Sequence, residues 1–265
     1  GADGFEKDHT YYGGNIGSFG YVLEYSHAKH DGFKKIYNHG DRDTGYDKNS
    51  DLTKFSYTPQ GSVWNQYFEV SLQNTAETSN ETYTGITKAD FASDPHKRYA
   101  ATAEDQMDNV YHRYIFTHQM QPFTNTSVTT KWYRTRYSRL WEKGEKIGVD
   151  TDGDGDVDSA VSFSSLDFDT ACAADSGAEA IACKYLTGSG STKPIEYVQN
   201  AMGHRDYGMD GLQFVVNHKL GNHDMEFGYR RHFDYRERMD KPAFYRHYTL
   251  DNATGVMNFK SQTRT

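Results

Sequence analysis

Five aspartates at alternate positions, Asp150, Asp152, Asp154, Asp156 and Asp158, stand in the run Asp150-Thr-Asp-Gly-Asp-Gly-Asp-Val-Asp158. Ca²⁺ takes about six to eight hard oxygen ligands, and carboxylates two residues apart around a glycine bend suit it. The spacing predicts side-chain ligation by Asp150, Asp152, Asp154 and Asp158, a carbonyl ligand from Asp156, and the tight bend at Gly155. A helix–loop–helix calcium site wants an acid at the twelfth position, where this chain has Val161; the ion then needs water or a ligand from elsewhere. Five carboxylates so close repel one another without a cation, which favours structural calcium over a solvated acidic loop. Cys172 and Cys183 follow in the same polar stretch. In an oxidising compartment a bridge between them is worth about 2–3 kcal/mol. No histidine sits at ligand spacing from either cysteine, which argues against zinc.

The other chemical candidates fall away. Twelve histidines are scattered along the chain, with no His-x-x-x-His on a helix and no His-Glu-x-x-His. No Gly-x-Ser-x-Gly stands between a strand and a helix, and Gly188-Ser-Gly-Ser191 reads as a flexible loop, not a phosphate cradle. Nothing here predicts an enzyme or an organic cofactor.

The elements that carry these residues must be strands. Hydrophobic residues make up only 35% of the 265, yet aromatics reach 15%, with 21 Tyr and 15 Phe. Rings with a polar tip suit a boundary between a dry and a wet medium. No run of about 18 apolar residues predicts a transmembrane helix, which leaves a barrel open because barrel strands are apolar only at alternate positions. A mean hydropathy of −0.89 argues the other way. The net charge of −8 gives a nucleic-acid partner no electrostatic support. No signal peptide is visible at Gly1-Ala-Asp-Gly-Phe, so export would require a segment already removed or lying outside these residues.

Alternation is cleanest over 223–236, where Met225, Phe227, Tyr229, Phe233 and Tyr235 interleave with charged residues. Phe19, Tyr21, Leu23 and Tyr25 form a second such set; Trp64, Phe68, Val70 and Leu72 a third; Leu212, Phe214, Val216 and Leu220 a fourth. Alternation by itself fits both a barrel wall and a soluble sheet covering a core. The connections separate them. Short links near 15–18, 58–62, 121–126 and 221–222 alternate with polar excursions over 29–51, 76–108, 142–206 and 237 to the end. Structureless loops of that length are uncommon in compact domains, whereas short turns at one end and long loops at the other are expected of bacterial barrels. The expectation is an all-β, antiparallel transmembrane barrel segment with about eight strands: 9–15, 18–29, 52–58, 63–75, 109–121, 126–140, 207–220 and 223–236. The 142–206 stretch is then one long outer loop.

The excursion at 79–108, with Asn80-Glu-Thr-Tyr, Ala89-Asp-Phe-Ala and Arg98-Tyr-Ala-Ala, resembles the corresponding loop of TonB-dependent outer-membrane receptors of the ferric-citrate type. The order of parts from His9 to about Lys143 and the piece His223-Asp-Met-Glu-Phe-Gly-Tyr-Arg-Arg-His232 are also similar. The resemblance implies that residues 1–265 form part of one 22-stranded barrel in the outer membrane of a Gram-negative bacterium, in contact with its lipid. It further implies uptake of a ferric siderophore or similar chelate, energised by TonB through a plug not recognisable in these residues. A ferric chelate would be held by loop and upper-strand residues, for which Arg98, Tyr99, Arg113, Arg134, Arg136 and Arg230 are the candidates. Arginine forks grip carboxylates, although pairing with lumenal acids would equally occupy them. A passive small outer-membrane barrel, or a secreted calcium-dependent β-rich glycan-binding module, are the competing readings.

Overall fold

The computed structural model describes residues 2–37, 42–80, 82–164, 166–187, 195–238, 244–251, 254 and 256–264. Along the chain run β1 (Glu6–Ile16), β2 (Phe19–His30), β3 (Lys35–Ile36), β4 (Tyr46–Tyr57), β5 (Tyr67–Ser79), α1 (Lys88–Ser93), β6 (Lys97–Arg98) and β7 (Gln106–Phe123). There follow β8 (Thr126–Val149), β9 (Ser159–Ser162), α2 (Phe168–Ala173), α3 (Ala178–Leu186), β10 (Ile195–Leu220), β11 (His223–Arg238), β12 (Phe244–Asp251) and β13 (Val256–Arg264). The protein is all-β. Apart from the parallel pair β3–β6, every strand belongs to one antiparallel sheet in the order β1-β2-β4-β5-β7-β8-β10-β12-β13. β11 pairs with β10 over Arg205–Leu220 and β12 continues along the same strand at Val198–Met202. β9 pairs with the last residues of β8.

From β1 to β11 each large strand lies beside its neighbours in sequence, a meander, whereas β12 pairs with β10 beyond the end of β11; among the described residues the sheet has free edges at β1, β11 and β13. At one end three of the four links are two residues long, and the β4–β5 link, expected over 58–62, runs over the nine residues 58–66. Gly17 and Gly221 adopt φ of 60° and 59° as the first residue of two-residue hairpins, a conformation glycine takes without steric cost. The excursions all leave from the opposite end.

Two expectations are corrected here. The eight predicted strands are present, six of them longer and those expected at 18–29 and 63–75 shifted to Phe19–His30 and Tyr67–Ser79 at the same length, and the described residues hold thirteen. The stretch 142–206 is not one bare loop: β8 runs on to Val149, and β10 starts at Ile195, pairing with it. Likewise 237 to the end contains β12 and β13. Gly144 and Gly148 sit in the extension of β8, where rings of Phe163 and Tyr197 occupy the space of a side chain. Apolar alternation lapses there, so the strand could not be read by period. Gly188–Ser191 lies outside the described residues.

Residues directly opposite in an antiparallel pair share a face, and the register sorts the sheet into two unlike surfaces. One row reads Ile16, Phe19, Tyr57, Phe68, His118, Thr130, Phe214, Tyr229 across eight strands. The next reads Gly14, Tyr21, Phe55, Val70, Phe116, Trp132, Leu212, Arg231, and the third Tyr12, Leu23, Thr53, Leu72, Tyr114, Arg134, Asp210, Phe233. Rings stack along the first row: Phe19 on Tyr57 at 4.6 Å and Phe68 on His118 at 4.5 Å. From Phe227 to Tyr235 the band spans about 27 Å along the strand. These side chains remain exposed, Phe19 by 61% and Phe227 by 63%. The opposite face carries Glu24, Lys54, Glu69, Gln73, Arg113, Lys131, Gln213, Arg230 and His232.

The packed core lies at the excursion end, not behind the sheet. Ala100, Ala101, Ile147, Val149, Val161, Phe163, Cys183, Leu186, Val198, Leu250 and Met257 form one buried cluster. It joins the excursions 80–105 and 150–187 to the ends of β8, β10, β12 and β13 as a cap. Tyr99 anchors the first excursion: its hydroxyl donates to Asp90 at 2.7 Å and accepts the Thr87 N–H at 3.0 Å. Burial pushes the Tyr99 phenol up to about 12. Lys88 N–H donates to Asp169 at 2.9 Å, tying the two excursions together.

The expected disulfide is present between Cys172 in α2 and Cys183 in α3, 11 residues apart. A loop of that length predicts about 2–3 kcal/mol of stabilisation. Replacing both cysteines by Ala is therefore expected to speed proteolysis or hydrogen exchange of 163–187 by roughly 30–150-fold, converted at 1.4 kcal/mol per tenfold. Exchange in β4, β5 and β7 should stay as in the parent protein.

Candidate functional site

The six candidate ligand-binding residues separate into three places. Tyr99 is 1% exposed and its hydroxyl is engaged, so it is a core residue and not a ligand contact. Arg98 spends its guanidinium on the Pro95 and Lys97 carbonyls at 3.1 and 2.6 Å. Arg134 and Arg136, expected toward a lumen, share the apolar face with Trp132. Period two decides this, because Trp132, Arg134 and Arg136 are spaced by two residues. Both grip Asp210, through Arg134 Nε at 2.6 Å and Arg136 Nη2 at 2.9 Å. Arg134 also lies over the Trp132 ring and Arg136 over Tyr235. Only Arg113 and Arg230 project from the polar face, and Arg230 donates to the Tyr133 hydroxyl at 2.9 Å.

On that polar face, beneath the cap, register brings together a group that strand reading missed. Tyr111, Tyr137, Tyr207 and Arg236 form one row, and Asn109, Arg139 and Arg205 the next. Met107 and Trp141 lie above them. Arg139 and Arg205 sit directly opposite each other, an unfavourable like-charge pair. Among the described residues none of Arg113, Arg139, Arg205 and Arg236 has a carboxylate within ion-pair distance; the nearby Glu77 is taken by Lys48 at 3.0 Å. Arg139 lies 5.2 Å from the Trp141 ring centroid, and Lys143 lies 5.0 Å from it and 4.0 Å from that of Tyr83. Tyr83 meets Trp141 edge-on at 5.4 Å.

Three N–H groups in this patch, Arg113 Nε, Arg139 Nε and Trp141 Nε1, are buried without a hydrogen-bond partner among the described residues. Buried donors are nearly always satisfied, and leaving one unmade costs about 1–3 kcal/mol. Convergent cations, rings and unmatched donors suit an anion that presents several acceptor oxygens. The signal in the sequence was the alternation Tyr137, Arg139, Trp141, Lys143, which continues past residue 140, where the predicted strand had been ended.

The aspartate loop is partly assembled. Carboxylate oxygens of Asp150, Asp152 and Asp158 lie within 4.8 Å of one another. Asp154 and Asp156 are exposed and outside that group, which corrects the expectation of Asp154 as a converging ligand. Asp150 accepts N–H bonds from Gly153 and Gly155, and these hold its carboxyl below the usual range. The Asp154 N–H acts to lower Asp152, but desolvation and the carboxylates of Asp154, Asp158 and Asp150 outweigh it and raise Asp152. Among the described residues these three could hold a divalent cation, with the remaining ligands from water or carbonyls.

Comparison of the chain with protein-family models and with curated proteins finds no match.

Asp210 is the only acid within reach of Arg134 and Arg136 among the described residues, so removing it leaves two cations on an apolar surface. Asp210→Ala is expected to cost about 1–3 kcal/mol in denaturant unfolding. Asp234→Ala, on the other face, should stay within about 0.5 kcal/mol.

Proposed function

We propose that this chain is part of the wall of an outer-membrane β-barrel receptor that captures an anionic chelate on its inner face, below the loops. The observation that carries the reading is the mostly apolar band, in register over eight strands and interrupted by Arg231 and by the Arg134–Asp210 pair, with no protein core behind it among the described residues. An apolar surface of that extent is rare on a soluble monomer, and about 27 Å along strands tilted by roughly 35–45° gives a height of about 19–22 Å, a little below the roughly 25 Å lipid-facing belt of outer-membrane barrels. Closure into a barrel follows from the same argument, since an open sheet with exposed apolar strands would pair or aggregate. A meander with tight turns at one end and a packed cap at the other supports the outer-membrane orientation.

The cation and ring patch around Arg139, Arg205 and Trp141 supports binding of a multiply charged anion such as a ferric polycarboxylate. Transport energised by TonB, and iron as the cargo, rest on the resemblance of the 79–108 excursion alone. Binding and translocation break no bond, so the protein acts as a receptor and not an enzyme. Asp150, Asp152 and Asp158 would bind Ca²⁺ to stiffen the loop above the patch.

Spin or fluorescent labels at Phe227 and Tyr229 in a bilayer are expected to report acyl-chain contact, and labels at Glu226 and Arg230 water. Burial of the first pair against protein would point instead to a soluble glycan-binding module. In the same bilayer Phe116→Arg should cost about 2–4 kcal/mol and Thr117→Arg less than 1. Arg139→Gln with Arg205→Gln is expected to weaken binding of ferric dicitrate at least tenfold and to flatten its salt dependence. For calcium, calorimetry should record binding to the parent protein and none to Asp150→Ala with Asp152→Ala, while Asp156→Ala keeps its heat. Equal heats in all three would remove the cation.

A further inference from the structure

On the apolar face the period of β8 sets Trp132, Arg134 and Arg136 in line, rising from the turn end toward the cap. Pairing puts Phe116 beside Trp132, and Tyr114 with Leu72 beside Arg134. These side chains line a groove of about 590 Å³. Its lower part is apolar and open, with Phe116 38% and Trp132 41% exposed. Its upper part ends in two guanidinium groups. Along the strand direction the groove is therefore dry toward the turns and cationic toward the cap.

Cations outnumber acids at that upper end. Asp210 takes one N–H from each arginine, Nε of Arg134 and Nη2 of Arg136. Among the described residues the two terminal nitrogens of Arg134 have no acceptor. Arg231 reaches the same face from β11, opposite Leu212. Its guanidinium lies 4.8 Å from the centroid of the Phe233 ring, one step nearer the cap, and no described carboxylate pairs with it. Three guanidinium groups thus meet one carboxylate. The next acid of β10 on this face, Asp206, is 3.3 Å from His204.

We propose that the groove seats one lipid whose headgroup carries phosphate, with the phosphate on Arg134, Arg136 and Arg231 and an acyl chain running down over Trp132 and Phe116. The proposal rests on the apolar face meeting lipid, as read above, and adds the chemistry of that lipid. Charge complementarity selects it. Arginine forks grip phosphate bidentately, whereas the ammonium of a zwitterionic headgroup would be repelled by the surplus cations. An uncharged sugar headgroup leaves that surplus unanswered, and free phosphate leaves the rings uncovered. Depth agrees with charge: a cation on a lipid-facing wall is costly at mid-depth and nearly free close to the headgroups. Trp and Tyr favour that same level, and Trp132 and Tyr235 lie against Arg134 and Arg136.

The test uses the full chain in dodecyl maltoside micelles, titrated with lipid A bearing its phosphates and, in parallel, with a phosphate-free form having the same acyl chains. Native mass spectrometry counts the lipid retained. The phosphorylated form is expected to bind at least tenfold more tightly, and millimolar inorganic phosphate should leave it in place. Arg134→Gln with Arg136→Gln is expected to weaken it about 25-fold, near fivefold for each cation. Arg231→Gln, which strands no acid should the double variant fail to assemble, is expected to weaken it about fivefold. Equal binding of the two lipids, unchanged binding in Arg231→Gln, or displacement by inorganic phosphate overturns the site. Failure of the receptor reading looks different: neither lipid would be retained, and the labels at Phe227 and Tyr229 would report burial against protein. Failure of this site alone keeps acyl contact at those labels and erases only the preference for phosphate.

Discussion

Side chains on a strand alternate with period two, so slipping any one pairing by a single residue would turn its apolar set to the other face. That constraint governs this sheet. With Tyr21 opposite Phe55, Phe55 opposite Val70, Val70 opposite Phe116 and Phe116 opposite Trp132, a dry surface continues without interruption across strands of unrelated sequence. Shift β5 by one residue and Glu69 or Ser71 would stand where Val70 does, breaking the band and placing Val70 among Lys54, Thr117 and Lys131. The stacked rings of Phe19, Tyr57, Phe68 and His118 reinforce the same register along one margin.

Because the sheet buries little behind itself, stability within the chain has to come from elsewhere. The cap supplies it. Strands of 24 and 26 residues, β8 and β10, far exceed the roughly five or six usual in globular proteins; their upper portions serve as the floor on which the excursions pack. Ile147, Val149 and Val198 are buried there, while Trp132 and Leu212 on the same two strands stay open. One pair of strands thus works in two environments. The disulfide and the hydrogen bonds of Tyr99, Asp90 and Asp169 bind short helices that would be marginal alone. Burial opposes ionisation of Asp90, yet hydrogen bonds from Lys97, Tyr99 and Thr87 prevail and keep its carboxyl below the usual range.

Cations occur on both faces, and their surroundings give them opposite meanings. Arg134 and Arg136 are partly neutralised by Asp210 and shielded by Trp132 and Tyr235, as a charge beside an apolar surface requires. Arg139 and Arg205 face one another with no acid between them, an arrangement that an isolated sheet would not favour and that a bound anion would relieve. On the proposed reading the first group trims the edge of the lipid-facing belt and the second makes the binding surface. Tyr83, carried by the cap, connects that surface to the buried Asp105, which accepts its N–H.

Strand identity, the tight turns and the two-sided character were legible in the residues, since alternation and glycine placement are local properties of the chain. Met225 to Tyr235 announced its faces without any partner, and the pairing of Cys172 with Cys183 followed from there being two cysteines in one stretch. Which arginines share a surface was not legible. Arg134 and Arg113 read alike as basic residues in strands, and only their phase relative to Trp132 and Ile115, once paired, puts them on opposite sides. The extension of β8 through Gly144 and Gly148 was hidden because its apolar partners, Phe163 and Tyr197, come from distant segments. Tyr99 looked like a ligand contact because burial is a property of what surrounds a residue, not of its type. The sequence alone determined that the sheet has an apolar and a polar face; long-range pairing decided which charges meet, since that depends on register between segments up to about a hundred residues apart.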